Sequence, residues 1–300
     1  MSLAARYDKF GPASVLKVVD LEEPQVGPGQ VRVRVKAAGL NPVDYKKRNG
    51  GSQYVVELPS GIGRELAGVV DQVGVAITTL SPGDEVFGTV EDGAVAEYVV
   101  TDAAGLAIKP AELGWTVAGG LALAGQTAYD AVASQHLTDA DTVLVSAAAG
   151  GVGLTTAQLV LRVGATVIGT AGEGNHDFLR QLGVIPLAYG PGLVDRVRAA
   201  APQGVTVVFD HHGAETIEAA IELGVDKARI NTIATDPTLY GIVRVGRGRN
   251  NTATLDTLAH LVATGELVIP IEATYPLAEV AAAFDRLEQG HLRGKIVIVL

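Results

Sequence analysis

Apolar and polar residues alternate through much of the first 110 residues. Residues 31–35 read Val-Arg-Val-Arg-Val, and this period of two predicts a half-buried strand. Apolar runs at 86–87 and 96–100 predict further short strands, and Gly-Pro-Gly at 27–29 and Ser-Pro-Gly-Asp at 81–84 predict turns. We therefore expect a small, irregular antiparallel barrel in this part of the chain.

From about residue 115 the pattern changes to short apolar strands that alternate with helical segments. This alternation predicts βαβ units and a parallel sheet. The predicted strands are 142–146, 165–169, 206–210 and 229–234, and the predicted helices are 152–163, 178–182, 215–223, 255–264 and 277–289.

The end of the chain returns to strand character at residues 295–300. Because a doubly wound sheet is already complete by then, we expect this strand to rejoin the first domain. The predicted division is residues 1–114 with 266–300 in one domain and 115–265 in the other. Residues 236–251, with arginines at 244, 247 and 249, are expected to form a loop, to which we assign no function.

Composition narrows the classes of function. The hydrophobic fraction of 48% and charged fraction of 19% are typical of a folded globular protein, and a net charge of −10 without a basic face argues against nucleic acid as a partner. No apolar run reaches the roughly 18–20 residues of a membrane span, and no secretory signal is evident, so we expect a cytoplasmic protein. With no cysteine, disulfides and cysteine-ligated zinc are excluded.

A glycine-rich turn follows the predicted strand at 143–146. It has the pattern Ala-x-Gly-Gly-x-Gly at 148–153 and leads directly into a helix. Small residues let the backbone approach a pyrophosphate, and a helix N-terminus offers free N–H groups and a positive dipole end. The strand before and the helix after indicate a dinucleotide site; the alternative is a tight turn with no ligand.

The end of the next strand bears on the choice of nicotinamide cofactor. An NAD site normally carries an acidic residue there, whereas residues 168–172 read Ile-Gly-Thr-Ala-Gly. The missing carboxylate leaves room for a 2′-phosphate. Glu173 would oppose the phosphate and Arg180 would attract it. We expect NADPH as the cofactor.

Five further segments carry a family resemblance, in order along the chain: 38–44 (AGLNPVD), 63–70 (GRELAGVV), 82–88 (PGDEVFG), 94–99 (AVAEYV) and 293–297 (RGKIV). Together with the glycine-rich turn they resemble the medium-chain dehydrogenase/reductase superfamily, specifically its quinone oxidoreductase (zeta-crystallin-like) branch. The resemblance implies an α/β chain with a GroES-like β-barrel domain and a Rossmann doubly wound parallel-sheet domain. It also implies a homodimer formed through an edge of the Rossmann sheet.

The same resemblance implies an enzyme without zinc. Zinc-dependent relatives carry a cysteine where this chain has Asn41, a histidine where it has Arg64, and another cysteine near Ala124. We therefore expect no metal site. Hydride addition to an enone or quinone needs less help than alcohol oxidation, because hydrogen-bond donors can stabilise the charge that develops on oxygen.

The candidate catalytic donors are Asn41, Tyr45, Lys46 and Arg64. Each has a structural alternative: Asn41 before a proline is also a turn former, and Tyr45 could cover the edge of the core. Asp44 is expected to hold local backbone or a neighbouring basic residue rather than take part in the chemistry, because a carboxylate would oppose a developing enolate. For Lys47 and Arg48 a solvated surface position is the preferred interpretation.

Residues expected to contact the cofactor include His211, for which a structural role is the alternative, and Tyr189, which the resemblance places against adenine. The resemblance also places Thr127 near the nicotinamide, with a helix-interior hydroxyl as the alternative. The full set is Thr127, Ala148, Gly150, Gly151, Val152, Gly153, Thr170, Ala171, Gly172, Asn175, Tyr189, His211 and Ala234.

The expected activity is NADPH-dependent, zinc-independent reduction of a small quinone or α,β-unsaturated carbonyl. Two alternatives stay open at this point. One is reduction of an enoyl thioester. The other is an NADPH-binding redox sensor or structural protein without turnover, because fold alone does not fix function.

Overall fold

The computed structural model describes residues 1–51, 53–245 and 251–300. Contacts divide the chain into two compact units: Met1–Leu123 with Asn250–Leu300, and Ala124–Arg249. The division differs from the limits expected from the sequence because the helix at Thr252–Ala263 packs on the strand at Leu106–Ile108 of the first unit.

The strands in chain order are β1 (Ser2–Tyr7), β2 (Lys17–Leu21), β3 (Gln30–Gly39), β4 (Ser60–Gly61), β5 (Glu65–Val73), β6 (Glu85–Thr89), β7 (Tyr98–Asp102), β8 (Leu106–Ile108), β9 (Thr142–Val145), β10 (Thr166–Thr170), β11 (Ile185–Leu187), β12 (Val207–Asp210), β13 (Ile230–Thr232), β14 (Val243–Arg244), β15 (Ile271–Pro276) and β16 (Lys295–Val299). The α-helices are α1 (Pro42–Arg48), α2 (Trp115–Ala133), α3 (Gly151–Val163), α4 (His176–Gln181), α5 (Leu193–Ala200), α6 (Ala214–Glu222), α7 (Thr252–Ala263) and α8 (Val280–Glu288).

The first unit is built on two sheets. One runs β15-β16-β3-β5-β6-β8 with β7 also paired to β3, and the other runs β2-β1-β4. Along β3 the valines at 31, 33 and 35 are buried in the core, as their alternation predicts. The last strand, β16, pairs antiparallel with β3, which confirms that the chain end returns to this unit.

Close backbone packing joins α2 to β3, and glycines make it possible. A Cβ at Gly39 would lie 2.5 Å from Glu65 Oε1 and 2.6 Å from the Gly119 carbonyl oxygen. A Cβ at Gly119 would lie 2.7 Å from that of Ala37. α2 is not predictable from the pattern of the sequence, because a segment rich in alanine and glycine shows little contrast between an apolar and a polar face.

The second unit is a parallel sheet in the order β11-β10-β9-β12-β13-β14. Its strand–helix alternation confirms the predicted Rossmann organisation. The prediction of a loop over residues 236–251 is wrong for Val243–Arg244, because these two residues form β14 beside β13. Its residues 246–250, with two of the three arginines, lie outside the described residues. In the part of the chain that is described, no helix is long and apolar enough to cross a membrane.

The prediction of a solvated surface position for Arg48 is also wrong. Its side chain is fully buried rather than solvated, with Nε donating to the Gly11 carbonyl at 3.0 Å and Nη2 donating to Glu288 Oε1 at 2.6 Å. The guanidinium carbon lies 5.4 Å from the centre of the Phe284 ring. Arg48 therefore ties α1 to α8, and its charge is stabilised by these partners.

We expect Arg48→Met to lower the free energy of unfolding by about 3 kcal/mol, near the lower end for breaking a buried ion pair, because Glu288 keeps some contact with solvent. Urea denaturation measures this. The matched control is Arg180→Met, which removes a surface pair with Asp177 and should cost under about 1 kcal/mol. Equal losses in the two variants would contradict the structural role of Arg48.

Candidate active site and cofactor site

Asn41 lies between β3 and α1, and all the polar atoms of its side chain are close to charged partners. Its Nδ2 donates to Glu65 Oε1 at 2.7 Å, and its Oδ1 accepts a hydrogen bond from Lys295 Nζ at 2.5 Å. The residue is 5% exposed. Asn41 precedes the helix, which agrees with a turn-forming role, and it also belongs to a buried polar cluster, which agrees with a role in the site.

Lys295 and Glu65 form the charged part of this cluster. The ammonium group of Lys295 also donates to Glu65 Oε1 at 2.7 Å and to the Leu40 carbonyl at 2.8 Å. The second carboxylate oxygen, Glu65 Oε2, accepts the backbone N–H of Leu123 at 2.8 Å. These bonds connect β16, β3, β5 and α2 around one ion pair, whose side chains are 4% and 0% exposed.

The other predicted donors are less enclosed. Tyr45 is half-buried against the core of the first unit, and burial, with a smaller contribution from Glu288, raises the pKa of its hydroxyl. Lys46 on the same helix is half-buried. Arg64 donates from Nε to the Glu91 carbonyl at 3.0 Å, so part of its guanidinium is already used. Of the four predicted donors, the structure brings only Asn41 into the cluster.

In the second unit the glycine-rich turn joins β9 to α3 as predicted. Ala147 adopts a φ of +49°, which costs an L-residue on the order of 1 kcal/mol. A Cβ at Gly153 would lie 2.2 Å from the Ala147 carbonyl oxygen, so only glycine fits there. Within the described chain the N–H groups of residues 151–153 have no protein acceptor, and they are available to an anion at the helix N-terminus.

Asp210, at the carboxyl end of β12, organises three neighbouring strand ends. Oδ1 accepts hydrogen bonds from Ser146 Oγ at 3.1 Å and from the backbone N–H groups of His212 and Gly213 at 3.0 and 2.9 Å. Oδ2 accepts from the hydroxyls of Thr232 and Thr235 at 2.6 and 3.0 Å. Every acceptor position is thus engaged by the protein, which makes Asp210 a scaffold group.

His211 follows Asp210, and its ring stacks on Phe209 with 6.2 Å between centroids. Its Nε2 lies 2.9 Å from Thr156 Oγ1 on α3, and its buried Nδ1 has no partner among the described residues. Burial lowers the pKa of His211 to about 4, against a smaller opposing effect of Asp210, so the ring is neutral at pH 7. A neutral imidazole with one unused nitrogen can bind a hydroxyl group.

The remaining predicted cofactor residues lie at or near this strand-end surface, except Thr127, which is buried in α2. Thr170 Oγ1 accepts the Ala147 N–H at 3.3 Å, which links the end of β10 to the glycine-rich turn. Tyr189 is 46% exposed. Ala148 and Ala171 are buried, and Gly172, Asn175 and Ala234 are partly exposed.

Sequence reasoning missed the residues that hold these sites together. Lys295 and Glu65 lie in two of the segments that carry the family resemblance, but these segments are far apart: the two residues are separated by 230 positions in the chain. No local pattern links two charges so distant. Thr156 was also missed, because on α3 it has the appearance of an ordinary helix residue. The described residues contain no group of three or more His, Asp or Glu side chains placed to hold a metal ion.

Comparison with known proteins matches the chain to two domain families. Residues 27–136 match the family described as alcohol dehydrogenase GroES-like domain, and residues 187–298 match the family described as zinc-binding dehydrogenase. An NADPH-dependent alkenal/one oxidoreductase from Arabidopsis thaliana is 31% identical over 97% of this chain and 78% of its own length. The chain belongs to the medium-chain dehydrogenase/reductase superfamily.

Further similar proteins indicate to which branch of the superfamily the chain belongs. A 2-methylene-furan-3-one reductase from Solanum lycopersicum is 30% identical over 97% of this chain and 77% of its own length. The structure of a quinone oxidoreductase from Coxiella burnetii superposes with a TM-score of 0.90 at 31% identity, over 100% of this chain and 99% of that one. A mycobacterial protein solved in complex with NADPH superposes with a TM-score of 0.90 at 28% identity, over 100% of both chains. These similarities confirm the quinone oxidoreductase branch.

Asp44 lies beside this site and holds local backbone, as expected, because Oδ2 accepts the Asn41 N–H at 2.8 Å. Burial raises the pKa of Asp44 to about 7; the Asn41 bond and Lys295 lower this pKa, and Asp92 and Glu65 raise it. The unfolded chain ionises this carboxyl near pH 4, so between about pH 4 and 7 the folded state binds the extra proton. The contribution of Asp44 to stability is therefore lost as the pH rises through this window.

We expect Asp44→Asn to keep the bond to Asn41 without the cost of ionisation. Relative to the wild type, its free energy of unfolding should rise by more than about 1 kcal/mol between pH 5 and pH 8, measured by urea denaturation. Asp84→Asn is the matched control, because that carboxylate also accepts a backbone N–H from three residues earlier but is partly open to solvent. A pH-independent difference for Asp44→Asn would show that this carboxyl is ionised throughout.

Proposed function

We propose that this chain is an NADPH-dependent oxidoreductase that reduces quinones or α,β-unsaturated carbonyl compounds. The observation that carries the proposal is the Asn41 cluster, which presents an amide donor in a buried polar setting without a metal-ligand set among the described residues. The relatives named for alkenals, for a methylene-furanone and for quinones share a carbonyl conjugated to a carbon that can accept hydride.

The second unit fits a nicotinamide dinucleotide. The free N–H groups at the start of α3 suit a pyrophosphate, and Gly153 allows the turn to close tightly behind them. The end of β10 carries Thr170 and Ala171 rather than an acidic side chain, so a 2′-phosphate meets no carboxylate there. A relative's name and a solved complex both refer to NADPH, and they support the same choice.

The bound nicotinamide supplies the hydride. The protein's task is to hold the substrate and to stabilise the negative charge that develops on its oxygen, for which a preorganised N–H donor is effective in a site with little water. The Asn41 amide is that donor in our proposal, and Tyr45 and Lys46 on the adjoining helix α1 are further candidates for substrate contact. Removal of one such donor typically costs about 100- to 1000-fold in turnover.

We also propose that the enzyme is a cytoplasmic homodimer and that it binds neither nucleic acid nor membrane. The acidic net charge of −10 supports the exclusion of nucleic acid. For the dimer, the support is that β14 ends the order of the parallel sheet in the described residues and that Val243 on it is half exposed.

The first test follows NADPH oxidation at 340 nm with a naphthoquinone, an ortho-quinone, a 2-alkenal and a crotonyl thioester, each repeated with NADH. We expect turnover with the quinones or the alkenal and a clear preference for NADPH. Turnover of the thioester alone would replace the proposal with an enoyl-thioester reductase. Tight NADPH binding by fluorescence without any turnover would indicate a sensor or structural protein.

The second test concerns the cofactor and His211. The unused Nδ1 is buried in this structure, so a ribose hydroxyl, which both donates and accepts, can bond to it in either tautomer only after the ring turns toward the cofactor. We expect His211→Phe to raise the Kd for NADPH by about 3- to 10-fold, the value of one net hydrogen bond. His212→Phe, at the exposed neighbouring position, is the matched control and should change Kd little. An unchanged Kd in His211→Phe would leave this histidine a purely structural role.

A further inference from the structure

The Asn41 side chain is an amide, and an amide presents a donor group or an acceptor atom depending on which way it is turned. In the first unit its surroundings decide the direction. The positive Lys295 lies 2.5 Å from Oδ1, and the negative Glu65 lies 2.7 Å from Nδ2. A reversed amide would set its NH₂ group against the ammonium and its oxygen against the carboxylate, so both contacts would become repulsive.

Neither charged group can donate to a substrate oxygen, because every N–H of Lys295 is already used and an ionised carboxylate such as Glu65 carries no donor. Lys295 uses its three N–H donors on Leu40, Asn41 and Glu65. Glu65 accepts from Lys295 and Asn41 through Oε1 and from Leu123 through Oε2. Asn41 differs, because its Nδ2 carries two N–H bonds and only the one to Glu65 has a protein acceptor among the described residues.

We propose that Lys295 and Glu65 are positioning residues for the reaction. Together they turn the Asn41 amide so that its second N–H, and never its oxygen, is offered to the oxygen of the substrate on which charge develops. This inference rests on the proposed reductase function.

A buried ion pair that serves stability alone is the competing explanation, and the chain provides a matched control for it. Lys109 is equally buried, pairs with Glu85 at 2.9 Å and donates to the carbonyls of Pro110 and Leu113. Lys109→Met therefore removes a buried lysine of similar environment outside the Asn41 cluster. We expect it to lower stability and leave the kcat of the folded enzyme unchanged.

The variant that tests the role of the Lys295–Glu65 pair combines Lys295→Met with Glu65→Gln. Losing the lysine alone would leave a buried carboxylate unpaired and threaten folding, whereas the combined change removes both charges. A glutamine at 65 can donate or accept, so it no longer dictates the direction of the Asn41 amide. We expect this variant to fold, to bind NADPH with a Kd within about twofold of the wild type, and to lose about 10- to 100-fold in kcat.

The deciding measurement repeats the combined change in an Asn41→Ala background. If the pair acts through Asn41, kcat of the triple variant stays within about threefold of Asn41→Ala alone, because contributions of residues that work as a unit are not additive. A further 10-fold or larger drop in that background would overturn the inference, because it would show that the pair acts independently of Asn41.

An activity-free readout separates this inference from the proposed function. In the full-length protein labelled with ¹⁵N-asparagine, the Asn41 side-chain NH₂ signals are assigned by their loss in Asn41→Asp. We expect slow hydrogen exchange in the wild type and at least about 10-fold faster exchange in the combined variant. Unchanged exchange would overturn the inference, whereas a wild type without turnover but with protected Asn41 signals would count against the reductase function alone.

Discussion

The ion pair between Lys295 and Glu65 is the interaction on which the arrangement of the first unit depends. Removing two such charges from water costs several kcal/mol each, and only good geometry with further hydrogen bonds offsets this. Here the last strand supplies the cation, β5 supplies the anion, and the segment after β3 and the interior of α2 supply the remaining partners. A wrong placement of β16 would strand a buried charge, so the pair favours one register of the chain end over all others.

The second unit also contains a buried carboxylate, but neutral hydrogen-bond donors stabilise it. Asp210 is as buried as Glu65, but hydroxyl groups and backbone N–H groups from three strand ends surround it in place of a lysine. The difference suits the two tasks. The ion pair fixes the direction of the Asn41 amide, which is the donor in the proposed reaction, whereas the fully bonded carboxylate of Asp210 fixes the loops that follow the strand ends.

The sequence was most informative wherever the determining contacts are local. The valine alternation of β3 and the strand–turn–helix around Gly150 both depend on near neighbours, and both were predictable. Arg48 was misplaced because charge predicts exposure unless a distant partner is known, and its partner Glu288 is 240 residues away. The contact of Lys295 with Asn41 was not predictable for the same reason. The resemblance marked its segment, but only the pairing of β16 with β3 brings it to Asn41.

In the proposed reaction, the Asn41 amide takes a position where, by the family resemblance, zinc-dependent relatives carry a metal ligand. A zinc ion acts directly on a substrate oxygen as a Lewis acid, which an unactivated alcohol or carbonyl requires. In an enone or quinone the charge is delocalised onto an oxygen remote from the carbon that accepts hydride, so a hydrogen bond suffices. In the proposed reaction, Lys295 and Glu65 hold the Asn41 amide in one direction and do not bind the substrate themselves. The group that meets the substrate oxygen in the proposed reaction is thus a neutral amide that keeps its proton.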